Sequence, residues 1–121
     1  MKKIALVEDN ADNRLLVQVI LGDLYEVVPY ENGHEALEGI ANDKPDVVLL
    51  DISLPKMDGN EVLRRIRADE TISDLPVIAL TAHAMAGDRE KYLGAGFTEY
   101  VTKPILDEEV LLSTIQRVLT R

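Results

Sequence analysis

The sequence Val47-Val48-Leu49-Leu50-Asp51 is an unbroken apolar run that ends in a carboxylate. Runs of this length and composition are typical of strands that are buried on both faces of a parallel sheet. Residues 4–7 and 77–80 form two more runs of the same kind, and a shorter one lies at residues 100–102. These four segments predict four strands of a parallel sheet.

One further strand, the second in chain order, is predicted between Tyr25 and Tyr30, and it contains Pro29. Proline cannot donate a hydrogen bond to a neighbouring strand, so we expect this strand at an edge of the sheet. The short segment at residues 100–102 suits the opposite edge.

Helical apolar patterns alternate with the strands, and the first of them contains Leu15, Leu16, Val19 and Ile20. This alternation predicts a doubly wound α/β fold of the flavodoxin-like type. Its five parallel strands are expected in the order 2-1-3-4-5, with helices on both faces of the sheet. No linker or low-complexity segment interrupts the pattern, so residues 1–121 are expected to form one domain.

The composition fits one globular domain and excludes several functions. Of the 121 residues, 46% are hydrophobic, and the formal net charge is −9 without any run of Lys and Arg. Direct nucleic acid binding is not expected, because it requires clustered basic residues. The absence of cysteine excludes disulfides, thiolate metal sites and thiol nucleophiles. No apolar stretch approaches the length of about 20 residues that a membrane span needs, so we expect a soluble cytoplasmic protein with no membrane partner.

Side chains that can take part in chemistry follow four of the strands. They are Glu8, Asp9, Asp51, Thr81 and Lys103. Because the carboxyl ends of parallel strands lie along one edge of the sheet, these side chains are expected to meet in one crevice. Three carboxylates, a hydroxyl and an ammonium group suit a site for a divalent cation and a phosphoryl group.

Asp51 is the candidate nucleophile, because a carboxylate at the end of a buried strand can attack phosphorus and form an acyl phosphate. A loop acid that only caps a turn would have the same sequence signature. Glu8 and Asp9 are adjacent, and at a strand-to-helix turn both could bind Mg²⁺, which prefers a few carboxylates with water and substrate oxygens. Their alternative role is to begin the first helix, for which Asn10 or Asp12 could serve instead.

Lys103, Thr81 and Tyr100 are candidates for contact with a phosphoryl group and for the response to it. The Lys103 ammonium could offset charge on the phosphoryl oxygens, and the Thr81 hydroxyl could donate to one of them. The Tyr100 ring could move between burial and solvent. A solvated lysine, an ordinary strand-end threonine and a static packed tyrosine are the structural alternatives.

Five short motifs occur in the order and spacing of one known family. They are Leu6-Val7-Glu8-Asp9-Asn10, Leu49-Leu50-Asp51, Pro55-x-Met57-Asp58-Gly59, Leu80-Thr81-Ala82 and Lys103-Pro104. Together they make the chain resemble, over essentially its whole length, the receiver domain of two-component response regulators, of the single-domain CheY-like kind. Each motif is unspecific alone, whereas five in register are highly specific.

The resemblance implies that Asp51 accepts a phosphoryl group from a sensor histidine kinase or a histidine phosphotransfer protein. The implied Mg²⁺ ligands are Glu8, Asp9, Asp51 and the backbone carbonyl of Ser53. Lys103 would contact the phosphoryl group, and Thr81 would be drawn toward it. Tyr100 would then swing inward and change the face made by the fourth helix, the fifth strand and the fifth helix, to which a downstream protein effector would bind.

The resemblance further implies a switch and not an enzyme, one that assists its own phosphorylation and slowly loses the phosphoryl group to water. Ser53 and His83, two positions after the acceptor and after the threonine, would tune that loss. Glu8 departs mildly from the family pattern, since many members have aspartate there, and its longer side chain could reach the metal through water.

Two other functions remain open. An aspartyl phosphatase of the haloacid dehalogenase type also uses Mg²⁺, threonine and lysine on a related sheet. That family requires an acid two residues after the nucleophile, where this chain has Ser53. A degenerate receiver that only binds partners is the third possibility, but its usual mark, the loss of the acceptor or of an acid, is missing.

Overall fold

The computed structural model describes residues 1–82, 87–105 and 107–120, in which strands and helices alternate. The strands are β1 (Lys3–Val7), β2 (Glu26–Tyr30), β3 (Val47–Asp51), β4 (Val77–Thr81) and β5 (Glu99–Thr102). The helices are α1 (Ala11–Leu21), α2 (Gly33–Asp43), α3 (Gly59–Ala68), α4 (Asp88–Ala95) and α5 (Glu108–Leu119). Within the described residues, no helix combines the length and apolar character required to cross a membrane.

The five strands form one parallel sheet in the order β2-β1-β3-β4-β5. This confirms the predicted flavodoxin-like order. The strand that contains Pro29 lies at one edge and β5 lies at the other, as expected from their sequences. The register pairs Val7 with Leu50 and Asp51 with Leu80, so the carboxyl ends of the central strands lie side by side.

Helices cover both faces of the sheet. One core cluster contains Ala5 and Val7 of β1 and packs against α2, α3 and α4, while the other contains Ile4 and Leu6 and packs against α1 and α5. Successive side chains of a strand point to opposite faces, and in β1 both sets are buried. The central strands have no solvated face, which is why their sequences are continuous apolar runs.

Helix α1 buries only part of its predicted apolar pattern, of which Ile20 packs against the core. The pattern correctly predicted a helix, but Leu15, Leu16 and Val19 are 61%, 42% and 70% exposed. The buried residues of α1 are Val17 and Leu21. Because this helix has apolar residues on more than one side, periodicity alone could not identify the packed face. We call the exposed residues Leu15, Leu16 and Val19 the α1 apolar strip.

Candidate functional site

The carboxyl edge of the sheet brings the predicted acids together. Glu8 and Asp9 directly follow β1, and Asp51 is the last residue of β3. One carboxylate oxygen from each of the three residues lies within 4.8 Å of the other two. Glu8 and Asp51 are 1% and 2% exposed, whereas Asp9 is exposed to solvent. The acids therefore form a buried cluster that opens to solvent at Asp9.

The turn between β1 and α1 presents two acids without using them as helix caps. Asn10 is the N-cap of α1, and its side chain accepts a hydrogen bond from the Asn13 amide at 3.0 Å. The guanidinium of Arg14 donates to the backbone oxygens of Glu8 and Asp9, at 2.9 and 3.0 Å. Arg14 therefore fixes the backbone that carries both acids. The sequence did not indicate this role, because acceptors in the backbone leave no pattern in a sequence.

Both carboxylate oxygens of Asp51 accept hydrogen bonds. Oδ1 accepts from the backbone amide of Ser53 at 2.9 Å, and Oδ2 accepts from the ammonium of Lys103 at 3.0 Å. The same ammonium donates to Oε1 of Glu8 at 3.0 Å. The Lys103 side chain is 19% exposed, so it is not a solvated lysine.

Of the two positions expected to tune the attack of water, Ser53 is exposed and His83 lies outside the described residues.

Gly59 allows the beginning of α3 to approach the end of β3 closely. A Cβ atom at this position would lie 2.5 Å from the backbone oxygen of Asp51 and 2.7 Å from the Cα of Ile52. The Gly59 amide donates to the backbone oxygen of Ile52 at 2.9 Å. Any larger residue would displace this loop and, with it, the Asp51 carboxylate.

Burial and pairing shift the pKa values of the clustered groups in different directions. Burial, followed by the Asp51 side chain, raises the pKa of Glu8 to about 7, against the opposing effect of Lys103. Burial also raises the pKa of Asp51. Hydrogen bonds, from Glu8 first and then from the Ser53 amide, outweigh burial and hold this pKa below its ordinary value. Burial opposes the charge of Lys103, yet its bonds to Glu8 and Asp51 raise its pKa. In the metal-free cluster, a proton therefore binds to Glu8 in preference to Asp51, and Glu8 keeps it until the pH rises to about 7.

The two predicted switch residues lie on the side of Asp51 away from Glu8. Thr81 ends β4 and Tyr100 lies in β5. The Thr81 hydroxyl is buried and shares a hydrogen bond of 2.8 Å with the hydroxyl of Tyr92 in α4. The half-buried Tyr100 ring lies 5.6 Å from the Tyr92 ring, measured between centroids. Both switch candidates thus contact one tyrosine, Tyr92, whose role no motif in the sequence indicates.

A cavity of about 190 Å³ lies beside the acidic cluster. Glu8 and Lys103 line its polar end, and Leu16, Val17 and Ile105 contribute to its apolar wall. Leu16 is also part of the α1 apolar strip. An apolar surface therefore continues from the exposed face of α1 to the edge of the site.

The sequence is similar to proteins of two-component signalling. The family model described as the response regulator receiver domain matches residues 4–116. The chain is 40% identical over 112 residues to the sensor protein GacS of Pseudomonas syringae pv. syringae, a match that covers 89% of this chain and 12% of that protein. It is 40% identical over 105 residues to the polar-differentiation response regulator DivK of Brucella anthropi, with 86% of this chain and 85% of that protein covered.

The fold is similar to solved receiver structures. The receiver domain of the sensor histidine kinase PA1611 from Pseudomonas aeruginosa PAO1 superposes with a TM-score of 0.89 at 37% sequence identity, covering 99% of this chain and 98% of that one. That structure has a magnesium ion coordinated in its active site cleft.

The chain spans 12% of the length of the GacS sensor kinases that it matches.

Proposed function

The chain belongs to the response regulator receiver domain family, which acts in phosphorelay signalling, and we propose that Asp51 is its phosphoryl acceptor. The observation that carries this proposal is the pair of hydrogen bonds to the Asp51 carboxylate, from the Ser53 amide at 2.9 Å and from Lys103 at 3.0 Å. These bonds favour the ionised carboxylate and fix its position at the open edge of the sheet. An oriented, ionised carboxylate is what nucleophilic attack on phosphorus requires.

The proposed donor is a phosphohistidine, carried by a sensor histidine kinase or by a histidine phosphotransfer protein. A carboxylate oxygen of Asp51 attacks phosphorus, and the new P–O bond forms as the P–N bond breaks. The electron pair of the P–N bond leaves with the imidazole. Lys103, already within hydrogen-bonding distance of Asp51, can contact the transferred group and offset charge on its oxygens.

The residues at the site fit a Mg²⁺ ion, because three carboxylates supply hard oxygen ligands within 4.8 Å of one another. Glu8, Asp9, Asp51 and the backbone carbonyl of Ser53 would hold the ion. When bound, Mg²⁺ would neutralise charge on the phosphoryl oxygens. Because the pKa of Glu8 is about 7, direct ligation by Glu8 competes with its protonation.

Phosphorylation is proposed to act as a switch and not as a step of a turnover enzyme. The Thr81 hydroxyl moves toward the phosphoryl group, Tyr100 swings inward, and the face made by α4, β5 and α5 changes shape for a downstream protein effector. A phosphoryl group shifts the population of two states only if it favours one of them, and contacts with Thr81 and Lys103 supply that preference. Slow loss of the phosphoryl group to water returns the switch to rest.

The α1 apolar strip is the proposed docking surface for the donor protein. Its side chains are exposed on the helix that begins next to Glu8 and Asp9, and the apolar surface continues through Leu16 into the cavity beside Lys103. A protein that brings a phosphohistidine to Asp51 would cover this side of the site. Exposed apolar patches of this kind mark interaction surfaces.

The proposed donor and effector are proteins of the cytoplasm, and we place the chain there with them. Direct binding to nucleic acid does not fit a net charge of −9 without a basic cluster. No membrane partner is proposed.

Intact-mass measurement after incubation with acetyl phosphate tests the proposed acceptor. We expect one added phosphoryl group that requires Mg²⁺, is absent with EDTA and is absent from Asp51→Ala. The matched variant Asp23→Ala, which removes an exposed acid outside the site, should still gain the group. An adduct that persists in Asp51→Ala would refute the assignment. Steady release of phosphate without an adduct would favour the haloacid dehalogenase-like phosphatase.

A further inference from the structure

We propose that Tyr92 is a positioning residue that holds Thr81 in the unphosphorylated state and links the acceptor to α4, an inference that rests on the function proposed for Asp51 and Thr81. The Thr81 and Tyr92 hydroxyl oxygens lie 2.8 Å apart and share a hydrogen bond. The two residues are 1% and 5% exposed. A hydrogen bond between buried hydroxyls is costly to give up, because water cannot readily replace either partner.

Packing of the Tyr92 ring determines where its hydroxyl lies. The ring meets Phe97 edge to face, with centroids 5.9 Å apart and an interplanar angle of 84°. On another side it lies against Tyr100, with centroids 5.6 Å apart. Aromatic pairs at these separations stabilise one another. Tyr92 therefore contacts both residues that are proposed to move, Thr81 through its hydroxyl and Tyr100 through its ring.

Tyr92 is also the principal attachment of α4 to the core. Across Asp88–Ala95, all of which the structure describes, Tyr92 is the one buried residue. The first turn of the helix consists of the charged residues Asp88, Arg89, Glu90 and Lys91. Tyr92 is thus the one buried anchor of a helix that also forms the Arg89–Glu99 ion pair at 3.4 Å, and we expect a change in the position of its side chain to displace the helix.

Thr81 cannot serve Tyr92 and a phosphoryl group in the same position. Either hydroxyl of the pair can be the donor, so the conflict is one of position: turning toward a phosphoryl oxygen on Asp51 takes the Thr81 hydroxyl away from its present place beside Tyr92. A hydrogen bond of this kind favours the arrangement that contains it by about 3- to 10-fold. The hydrogen bond to Tyr92 therefore opposes the active arrangement until a phosphoryl group draws Thr81 away. Loss of this bond then changes how Tyr92 holds α4.

Binding of beryllofluoride in the presence of Mg²⁺ tests this inference, because beryllofluoride takes the geometry of a phosphoryl group on a carboxylate. Tyr92→Phe keeps the ring and removes the hydroxyl. By titration calorimetry we expect this variant to bind beryllofluoride about 3- to 10-fold more tightly than the wild type. Equal or weaker binding would overturn the inference. A purely structural role for the hydroxyl would lower the melting temperature without tightening the binding.

Two further variants show whether the effect passes through Thr81. In a Thr81→Ala background, Tyr92→Phe should leave the affinity for beryllofluoride unchanged, and a gain there would overturn the inference. Tyr25→Phe removes a hydroxyl next to the other core cluster and should leave the affinity at the wild-type value.

A measurement on the wild type does not depend on how well the variants fold. The ¹³Cζ resonance of Tyr92 reports the hydrogen bonding of its hydroxyl and should shift when beryllofluoride binds; an unchanged resonance would overturn the inference. Wild-type protein that binds beryllofluoride no better than Asp51→Ala would refute the proposed acceptor, and the inference with it. Normal wild-type binding with no gain in Tyr92→Phe would refute the inference alone.

Discussion

Helices α3 and α4 cover the same face of the sheet but are attached to it differently. Helix α3 buries the apolar side chains of Val62, Leu63 and Ile66. It begins at Asp58, whose side chain caps the helix by accepting a hydrogen bond from the Glu61 amide at 3.0 Å. The candidate acceptor Asp51 ends β3, directly before the loop that leads into α3, so it lies next to a firmly anchored helix.

Helix α4 begins at Gly87, which has no side chain to cap it, and it buries only Tyr92 among the residues Asp88–Ala95. It lies next to the residues that are proposed to switch. Segments that move in a transition come from the less stable parts of a structure. One face of one sheet thus combines a rigid support for the candidate acceptor with a weakly held helix next to the proposed switch residues.

Truncation of one side chain in each helix measures how strongly α3 and α4 are anchored. Ile66→Ala in α3 removes a fully buried side chain and should lower the free energy of unfolding by about 3 kcal/mol. Leu93→Ala in α4 truncates a half-buried side chain and should cost about 1 kcal/mol or less. Urea denaturation followed by circular dichroism measures both, and equal losses would contradict the contrast.

The buried carboxyl group of Glu8 makes the stability of the protein depend on pH. Its pKa rises from 4.5 to about 7 in the folded protein. Between these values the folded state keeps a proton that the unfolded chain releases. The free energy of unfolding in EDTA should therefore fall by about 2 to 3 kcal/mol as the pH rises from 4.5 to 7, and this contribution is fully present below 4.5.

Urea titrations at several pH values in EDTA check this slope, with Glu8→Gln as the matched variant. Glutamine does not titrate, so its profile should be flat over the same range. The contribution of Asp51 to stability depends on pH in the opposite direction. Its pKa lies below 3.8, and its stabilisation is lost as the pH falls through that lower value. A wild-type profile that rises between pH 5 and 7 would be incompatible with a protonated Glu8.

Arg67 anchors α3 further, because it connects this helix to the segments around β4. Its guanidinium donates to the backbone oxygens of Gly96, Ser73 and Leu75 at distances between 2.6 and 3.1 Å. Arg67→Met keeps an apolar stem but leaves these oxygens without their donor, so we expect a loss of about 2 kcal/mol in the free energy of unfolding. Arg65→Met, on an exposed part of the same helix, should leave the urea midpoint unchanged. Similar losses in both variants would show that Arg67 is not an anchor.

The smallest effect is expected at Gly94 in α4. Among the described residues, a Cβ atom there would have no atom from outside its own helix backbone within 4 Å, so Gly94→Ala should stabilise the helix by about 0.5 to 1 kcal/mol. Amide hydrogen exchange should slow in α4 and remain unchanged in α3. The control is Gly39→Ala in α2, where the new Cβ would collide with the Tyr30 ring and should destabilise the protein. Faster exchange in α4 of Gly94→Ala would contradict the expectation.

The carboxyl edge of the sheet could be predicted from the sequence because two independent signals coincide there. Buried parallel strands are continuous apolar runs, and Glu8, Asp51 and Thr81 stand directly at their ends. Strand topology then brings residues that are distant in sequence, such as Lys103, into one crevice. The apolar runs and the residues that end them are patterns along the chain, so they can be read from the sequence alone.

Features that depend on packing between elements could not be predicted in the same way. The packed face of α1 was hidden because apolar residues such as Leu15 and Val17 occur on opposite sides of the helix. The Thr81–Tyr92 hydrogen bond joins a strand to a helix 11 residues later, and no local pattern marks it. Arg14 binds backbone oxygens, which every residue possesses.

The α1 apolar strip belongs to a molecule with a net charge of −9. Like charges keep two copies of the chain apart, over a range set by a screening length of about 8 Å at physiological ionic strength. A neutral or basic partner does not meet this repulsion. The surplus of acids therefore disfavours contact between two copies through the α1 apolar strip and favours a partner with less negative charge. Self-association and the choice of partner are in this way influenced by the same charge.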